Sequence, residues 1–177
     1  EIGMNNITCE QLAIGEFYRR ISLGGWQEEI YESYYAIAFT KARNIDTFSN
    51  WPSIENSYLL CANKFPKRAE PLYYLALHYK EENPLLSFSY AYHAKAIEYP
   101  EKAVLWVQKH IYHYAAAQIM AETAIYTKYQ EIHFVGFYYL TFMIENGPKH
   151  LKKLMQDTYY PLYAEQIEPE KRQLIVE

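Results

Sequence analysis

Two histidines, His110 and His113, stand three positions apart in a segment that the sequence predicts to be helical. Residues at this spacing share one face of a helix, so both imidazoles can reach one divalent cation. A catalytic zinc also needs a third ligand and a general base, and no carboxylate stands at a spacing that supplies either. We therefore predict no metal and no cofactor, and we retain His113 as a candidate binding residue on a surface or in a groove.

Glu122 is a second candidate, because it lies in an alanine-rich stretch with Ala117, Ala121 and Ala124. A stretch of small residues favours close helix packing, and a charge is unusual there. The carboxylate either turns outward or pairs with a buried tyrosine or histidine. Buried carboxylates often mark functional sites, so Glu122 together with His113 is one hypothesis for a small all-α enzyme.

Arg68 and Glu70 stand at the start of a predicted helix. In one interpretation, Glu70 supports the helix dipole and cap, and the two residues form a bridge to the preceding helical unit. In the other, Arg68 points into a concave groove and binds a carboxylate or phosphate of a partner.

The chain contains 20 tyrosines, a residue with a large apolar ring and a polar tip. Helix-spaced tyrosines usually pack in a core, but a row of them can also line a groove that stacks on sugar rings. The candidates for such a groove lie in the central part of the chain: Tyr73, Tyr74, Tyr90, Tyr92, Tyr112 and Tyr114.

Apolar residues recur at helical spacing along most of the chain, and no stretch alternates with the period of a strand. We predict an all-α fold of about eight or nine helices. Residues 1–8 form a lead-in, 9–166 the helical domain and 167–177 a charged, frayed tail. The helices are expected at 10–23, 26–41, 51–64, 68–81, 84–98, 103–113, 115–128, 131–146 and from about 148 to 164. Asn50 and Asn83 are predicted N-caps, and Gly24-Gly25 a turn.

Some of these helices form a repeat. Pro66 and Pro100 are 34 positions apart, which is the period of the tetratricopeptide helix hairpin. Ile14-Gly15-x-x-Tyr18 and Leu75-Ala76-x-x-Tyr79 both resemble its large–small–aromatic signature, in which the small residue allows close helix approach. By the same period Trp106 corresponds to Leu72, and Trp26 begins the inner stripe of the second helix. This resemblance implies a right-handed α-solenoid of tetratricopeptide-like hairpins.

A narrower resemblance covers roughly residues 10–146. It rests on Gly25-Trp26-Gln27-Glu28-Glu29, on the run from Phe65 to Ala76 that contains Arg-Ala-Glu-Pro-Leu, and on 111–114 with Glu122 and Tyr126. These segments resemble a helical region found downstream of family 2-type glycosyltransferase domains in bacteria and large DNA viruses.

The resemblance implies that sugar transfer belongs to a separate α/β domain with an Asp-x-Asp metal motif. This chain contains no Asp-x-Asp and no glycine-rich phosphate loop. Residue 1 is Glu and not Met, so we expect either a processed chain or, preferably, a segment of a longer protein. The chain by itself is then expected to be a non-catalytic scaffold, whose partners are a tethered glycosyltransferase domain, another protein, or a glycan or glycoprotein acceptor. The alternatives are a free-standing tetratricopeptide adaptor for a peptide, and the small enzyme above.

Composition argues against nucleic-acid-binding and membrane-spanning classes of protein. The net charge is −4 and no dense cluster of Lys or Arg is present, which argues against a nucleic-acid partner. The apolar runs are too short for a membrane span. Cys9 and Cys61 form no CxxC motif, so we expect free thiols in a reducing compartment and a cytoplasmic protein.

Overall fold

The computed structural model describes residues 8–44 and 50–176. Within these ranges the chain forms nine helices and no strand, which confirms the all-α prediction. The helices are α1 Cys9–Leu23, α2 Gln27–Arg43, α3 Trp51–Lys64, α4 Glu70–Tyr79, α5 Pro84–Lys95, α6 at 111–124, α7 Gln130–Asn146, α8 at 149–166 and α9 Pro169–Val176. Two of them contain a π-helical turn, Ile111–Ala115 in α6 and Met155–Tyr159 in α8. No described helix is both long enough and apolar enough to cross a membrane.

Several helix ends are fixed by local side-chain chemistry. The Asn50 side chain accepts a hydrogen bond from the Ser53 amide, and Asn83 accepts one from the Leu86 amide, so both predicted N-caps are confirmed. α1 ends at Leu23 and is followed by Gly24 and Gly25. Their φ angles of 68° and 104° would strain any residue with a Cβ. These signals act within a few residues, which is why the sequence predicted them.

The chain divides into two compact units. Unit 1 comprises Glu1–Pro71 and Pro100–Val107, and unit 2 comprises Leu72–Tyr99 and Gln108–Glu177. In unit 1, α1 packs on α2 and α2 on α3, as in consecutive helix hairpins. Its buried apolar residues include Ile14, Tyr31, Ile37, Ala38, Ile54, Tyr58 and Cys61.

The core of unit 2 is built from α5, α6 and α7, which pack on one another in chain order. Small residues bring these helices close together. A Cβ added to Gly136 of α7 would overlap the Ala124 Cβ and the Tyr163 hydroxyl. Larger buried side chains then fill the remaining space: Met120, Phe137, Leu140, Met143, Met155 and Tyr163.

The predicted helix at 103–113 is wrong over its first half. Residues 96–108 form no regular helix, and Trp106 has a φ of 50° and a side chain that is 72% exposed. Trp106 is therefore not a counterpart of Leu72, which is half-buried in α4. The reason is tertiary. Arg68 Nη2 donates to the carbonyl oxygens of Leu105 and Trp106, which removes those acceptors from a helix. The Glu28 carboxylate also accepts hydrogen bonds of 2.8 Å from the amides of Val104 and Leu105.

The first copy of the signature also differs from the expectation. Gly15 lies on an exposed part of α1, with no described atom within 4 Å of an added Cβ, and Tyr18 is 51% exposed. Gly15 therefore allows no close approach there. The second copy is buried: Leu75 and Ala76 are inaccessible, and Tyr79 is half-buried and stacks on Tyr90.

The predicted helix boundaries and the two predicted terminal segments can be placed in the structure. Pro66 lies in the turn after α3, Pro100 in the irregular segment, and Trp26 is a half-exposed N-cap residue of α2. Of residues 1–8 only Thr8 is described, and it caps α1. The described part of the predicted tail, 167–176, is not frayed, because α9 occupies Pro169–Val176 and Ile167 is buried.

Candidate functional site

Unit 1 contains a buried ion pair between Arg68 and Glu70, which are 6% and 0% exposed. The guanidinium donates from Nε to Oε2 and from Nη2 to Oε1 of Glu70, each at 3.2 Å. The Tyr31 hydroxyl donates to Glu70 Oε2 at 3.2 Å, and the Arg68 guanidinium lies 3.7 Å from the centre of the Tyr31 ring. We call these three residues the Arg68–Glu70 cluster.

The cluster also fixes the irregular segment of unit 1. Arg68 Nη2 donates to the carbonyl oxygens of Leu105 at 3.4 Å and Trp106 at 3.3 Å. The guanidinium is thus directed into the interior of unit 1. This placement corresponds to the structural interpretation of Arg68 and Glu70, a bridge between segments, and not to a group presented in a groove.

Burial changes the acid–base properties around the cluster. It raises the pKa of the Tyr31 hydroxyl and of the Cys61 thiol. It also raises the pKa of Glu32 to about 7; Arg68 opposes this shift and Glu70 adds to it. The Glu32 Oε2 atom is buried and has no hydrogen-bond partner among the described residues. In the sequence Glu28 stood out only as part of the resemblance segment at 25–29, and Glu32 did not stand out, since glutamates near the start of a helix are ordinary.

Unit 2 holds the other buried carboxylate among the candidates, Glu122, which is 2% exposed. Its Oε2 lies 2.7 Å from Lys80 Nζ, and its Oε1 accepts a hydrogen bond of 2.8 Å from Gln118 Nε2. Glu122 therefore does not turn outward, and its partners are a lysine and a glutamine instead of a tyrosine or histidine. Lys80 follows the end of α4 and was not a sequence candidate.

A cavity of about 240 Å³ opens beside this ion pair, and we call it the Glu122 cleft. It is lined by Lys80, Glu81, Pro84, Glu122, Tyr126 and Tyr159. Tyr126 is 61% exposed. Burial raises the pKa of Tyr159 to about 12, and the negative charge of Glu122 is the next cause. Tyr159 closes the π-helical turn of α8, a feature that is frequent at functional sites.

The candidate His113 forms no catalytic pair with Glu122. His113 is exposed, and its ring lies 5.8 Å from the Tyr99 ring. It precedes Glu122 by nine residues on α6. This spacing corresponds to about 13 Å along a helix axis, too far for one catalytic pair. Among the described residues, no group of three or more His, Cys, Asp or Glu side chains can hold a metal ion.

The candidate tyrosines of unit 2 pack mainly against other rings. Tyr73 is half-buried against Tyr74, with ring centroids 5.4 Å apart, and against His110 at 6.1 Å. The Tyr74 hydroxyl donates to Gln108 Oε1 at 3.1 Å. Tyr114 is half-buried beside His110. Burial raises the pKa of Tyr73, as expected for a packed ring. The only exposed ring of the six predicted for a sugar groove is Tyr92.

No family model, no curated protein and no solved structure matches this chain. The resemblance to the helical region of family 2-type glycosyltransferases therefore stays a prediction. The arguments on function below rest on the geometry of the described residues.

Proposed function

We propose that this chain is a non-catalytic binding module, a helical scaffold that works beside a family 2-type glycosyltransferase domain and contacts a protein partner or the acceptor. The observation that carries this proposal is the Glu122 cleft. A cavity with a charged wall and two tyrosines has the mixed polar and aromatic lining of a ligand site.

The way Glu122 is held favours recognition over catalysis. A general base needs a carboxylate oxygen directed at the proton that it removes. Here Oε1 is engaged by Gln118 and Oε2 by Lys80, and His113 is too distant to assist. Such a held carboxylate is a fixed point of charge, which orients a ligand without reacting with it.

The Arg68–Glu70 cluster supports the scaffold part of the proposal. It lies in the run that carries the glycosyltransferase resemblance, yet its polar groups are engaged inside unit 1. The run then has a structural role, to fix the start of α4 and the segment at 103–106. In unit 1 the helices α1 to α3, and in unit 2 the helices α5 to α8, pack in chain order, as in a helical repeat. We propose the right-handed tetratricopeptide-like arrangement on this basis.

A free-standing adaptor for a peptide is the second candidate function. It is favoured by the same cleft, because Tyr126 and Glu81 are exposed at its edge and accessible to a polypeptide side chain. The two candidate functions differ only in whether a glycosyltransferase domain belongs to the same protein. A nucleotide-sugar domain encoded in the same reading frame favours the glycosyltransferase companion, and an isolated frame favours the adaptor.

The test uses the whole encoded protein and this chain alone. If a transferase domain is present, Tyr126→Ala should raise the KM for the acceptor or the Kd of the partner about three- to tenfold, by analogy with exposed interface residues, and leave kcat unchanged. The chain alone should not turn over nucleotide sugars. Turnover by the chain alone, or a loss of kcat with unchanged KM, would contradict a purely binding role.

A further inference from the structure

The Glu122 cleft has a specific electrostatic character. Its lining carries two carboxylates, Glu81 and Glu122, and one ammonium, Lys80. Lys80 is paired with Glu122 at 2.7 Å, so Glu81, which is exposed, is the charge left over. The cleft has a net formal charge of −1, and an anionic ligand would be repelled from it.

The backbone adds to this negative potential. α4 ends at Tyr79, directly before Lys80 and Glu81, and α6 ends at Ala124, between Glu122 and Tyr126. A helix C-terminus carries about half a negative charge, so two such ends favour a cation. α5 begins at Pro84 and contributes the opposite pole, but proline has no amide hydrogen and the Asn83 side chain occupies the Leu86 amide.

The aromatic part of the lining fits the same ligand. Tyr126 presents most of its ring to solvent, and Tyr159 is half-buried at the same cavity. A flat cation is attracted to the face of a tyrosine ring, even at an exposed site. Guanidinium groups also stack on aromatic rings and donate to two acceptors at once, which an ammonium does less well.

From charge, helix ends and rings together, we propose that the Glu122 cleft binds an arginine side chain of a partner polypeptide. The guanidinium donates to the Glu81 carboxylate and stacks on Tyr126, while Glu122, fixed by Lys80 and Gln118, supplies negative charge from the wall. This inference rests on the proposed function and specifies its ligand as a basic peptide rather than a glycan.

The experiment titrates the isotopically labelled chain with acetyl-Gly-Arg-Gly-amide and follows amide and tyrosine resonances by NMR. A single side chain should bind with a Kd of about 1–10 mM, which corresponds to roughly 3–4 kcal/mol. Resonances of Glu81, Tyr126 and Tyr159 should shift, and added salt should weaken the effect. The lysine peptide should bind more weakly, and the citrulline peptide, which is neutral and nearly the same shape, should not bind.

Two variants locate the binding. Glu81→Gln and Tyr126→Ala alter exposed side chains, so both should fold, and each should weaken the arginine peptide about two- to fivefold. Glu82→Gln is the matched control, because Glu82 is exposed and adjacent but does not line the cleft, and it should leave the Kd unchanged.

Equal binding of the citrulline peptide, equal effects of the two glutamate variants, or shifts caused by a methyl glycoside but not by the arginine peptide would overturn the inference. If the arginine peptide does not bind but Tyr126→Ala still raises the KM of the acceptor or the Kd of the partner, the binding module stands and only its ligand is wrong. If neither effect is seen, the proposed function fails as well.

Discussion

The two units each bury a glutamate against a basic side chain, but they do so in different ways. In unit 1, Arg68 and Glu70 are both enclosed, and the guanidinium also contacts a tyrosine ring and two backbone carbonyls. In unit 2, the Glu122 carboxylate is buried, but Lys80 is 27% exposed and a cavity opens beside the pair. A glutamate paired with a basic residue thus forms a structural bridge in one unit and part of a candidate ligand site in the other.

The difference between the units shows that a charged sequence motif does not by itself indicate a ligand site. Whether the charged side chains are buried or border a cavity decides whether a partner can reach them. Arg68 and Glu70 belong to the most distinctive run of the sequence, yet their position inside unit 1 makes them unavailable to a partner. Glu122 lies outside that run, in an alanine-rich stretch, but its cavity is accessible. Four predictions test and extend this comparison of the two units, from the largest expected effect to the smallest.

Removal of the basic partner should be far more damaging in unit 1. Arg68→Met leaves Glu70 buried and charged, and should lower the free energy of unfolding by about 3–5 kcal/mol. Lys80→Met should cost about 1–2 kcal/mol, because Gln118 still donates to Glu122 and the cavity admits water. Urea denaturation measures both values. Equal losses would mean that the two pairs are equivalent and that the Glu122 cleft has no special accessibility.

The two units should also respond oppositely to a methyl group on a helical glycine. Gly136→Ala in unit 2 forces a Cβ against Ala124 and Tyr163, and should cost about 1–3 kcal/mol. Gly15→Ala in unit 1 meets open space and should stabilise α1 by about 0.5–1 kcal/mol. Thermal unfolding measures both changes in stability, which should be opposite in sign. A destabilising Gly15→Ala would restore the close helix approach that the tetratricopeptide signature predicts there.

Glu32 should make the stability of unit 1 depend on pH. Its pKa is raised in the folded protein from the ordinary 4.5 to about 7, so the folded state binds more protons than the unfolded state between these values. Stability should therefore fall as pH rises through this window. Glu32→Gln should remove the loss and be more stable than the parent protein by about 1 kcal/mol near pH 8, after allowance for solvent screening.

The matched control for Glu32 is Glu101→Gln, since Glu101 is an exposed carboxylate of the same unit. Its effect should be the same at low and neutral pH. The interpretation of Glu32 fails if the difference between Glu32→Gln and the parent protein does not increase from about pH 4 to about pH 8 in a series of urea titrations.

The smallest effect is expected at His113. His113→Ala removes an exposed ring from α6 and should change the free energy of unfolding by less than about 0.5 kcal/mol. Zinc content, measured by elemental analysis of the purified chain, should be the same for both proteins. Loss of a stoichiometric zinc on substitution would revive the hypothesis of a small enzyme and would contradict the binding proposal for unit 2.

Much of the fold could be predicted, and much less of the site. The breaks near Gly24 and Pro66 and the caps at Asn50 and Asn83 were correct, because they depend on residues three or four positions apart. Glu122 is buried, which was one of the two alternatives left open by a charge among alanines in the sequence. Its partner Lys80 was missed, because the two are 42 positions apart and nothing local couples them.

The sequence by itself determined an all-α chain with defined helix ends, since helical periodicity and capping are local. The tertiary structure decided the state of 103–106, whose amides bind Glu28 from 76 and 77 positions away and whose carbonyls bind Arg68. It also decided that Arg68 is enclosed whereas Glu122 borders a cavity. The physical reason is that burial and electrostatic pairing depend on groups distant in the chain, whereas helix formation does not.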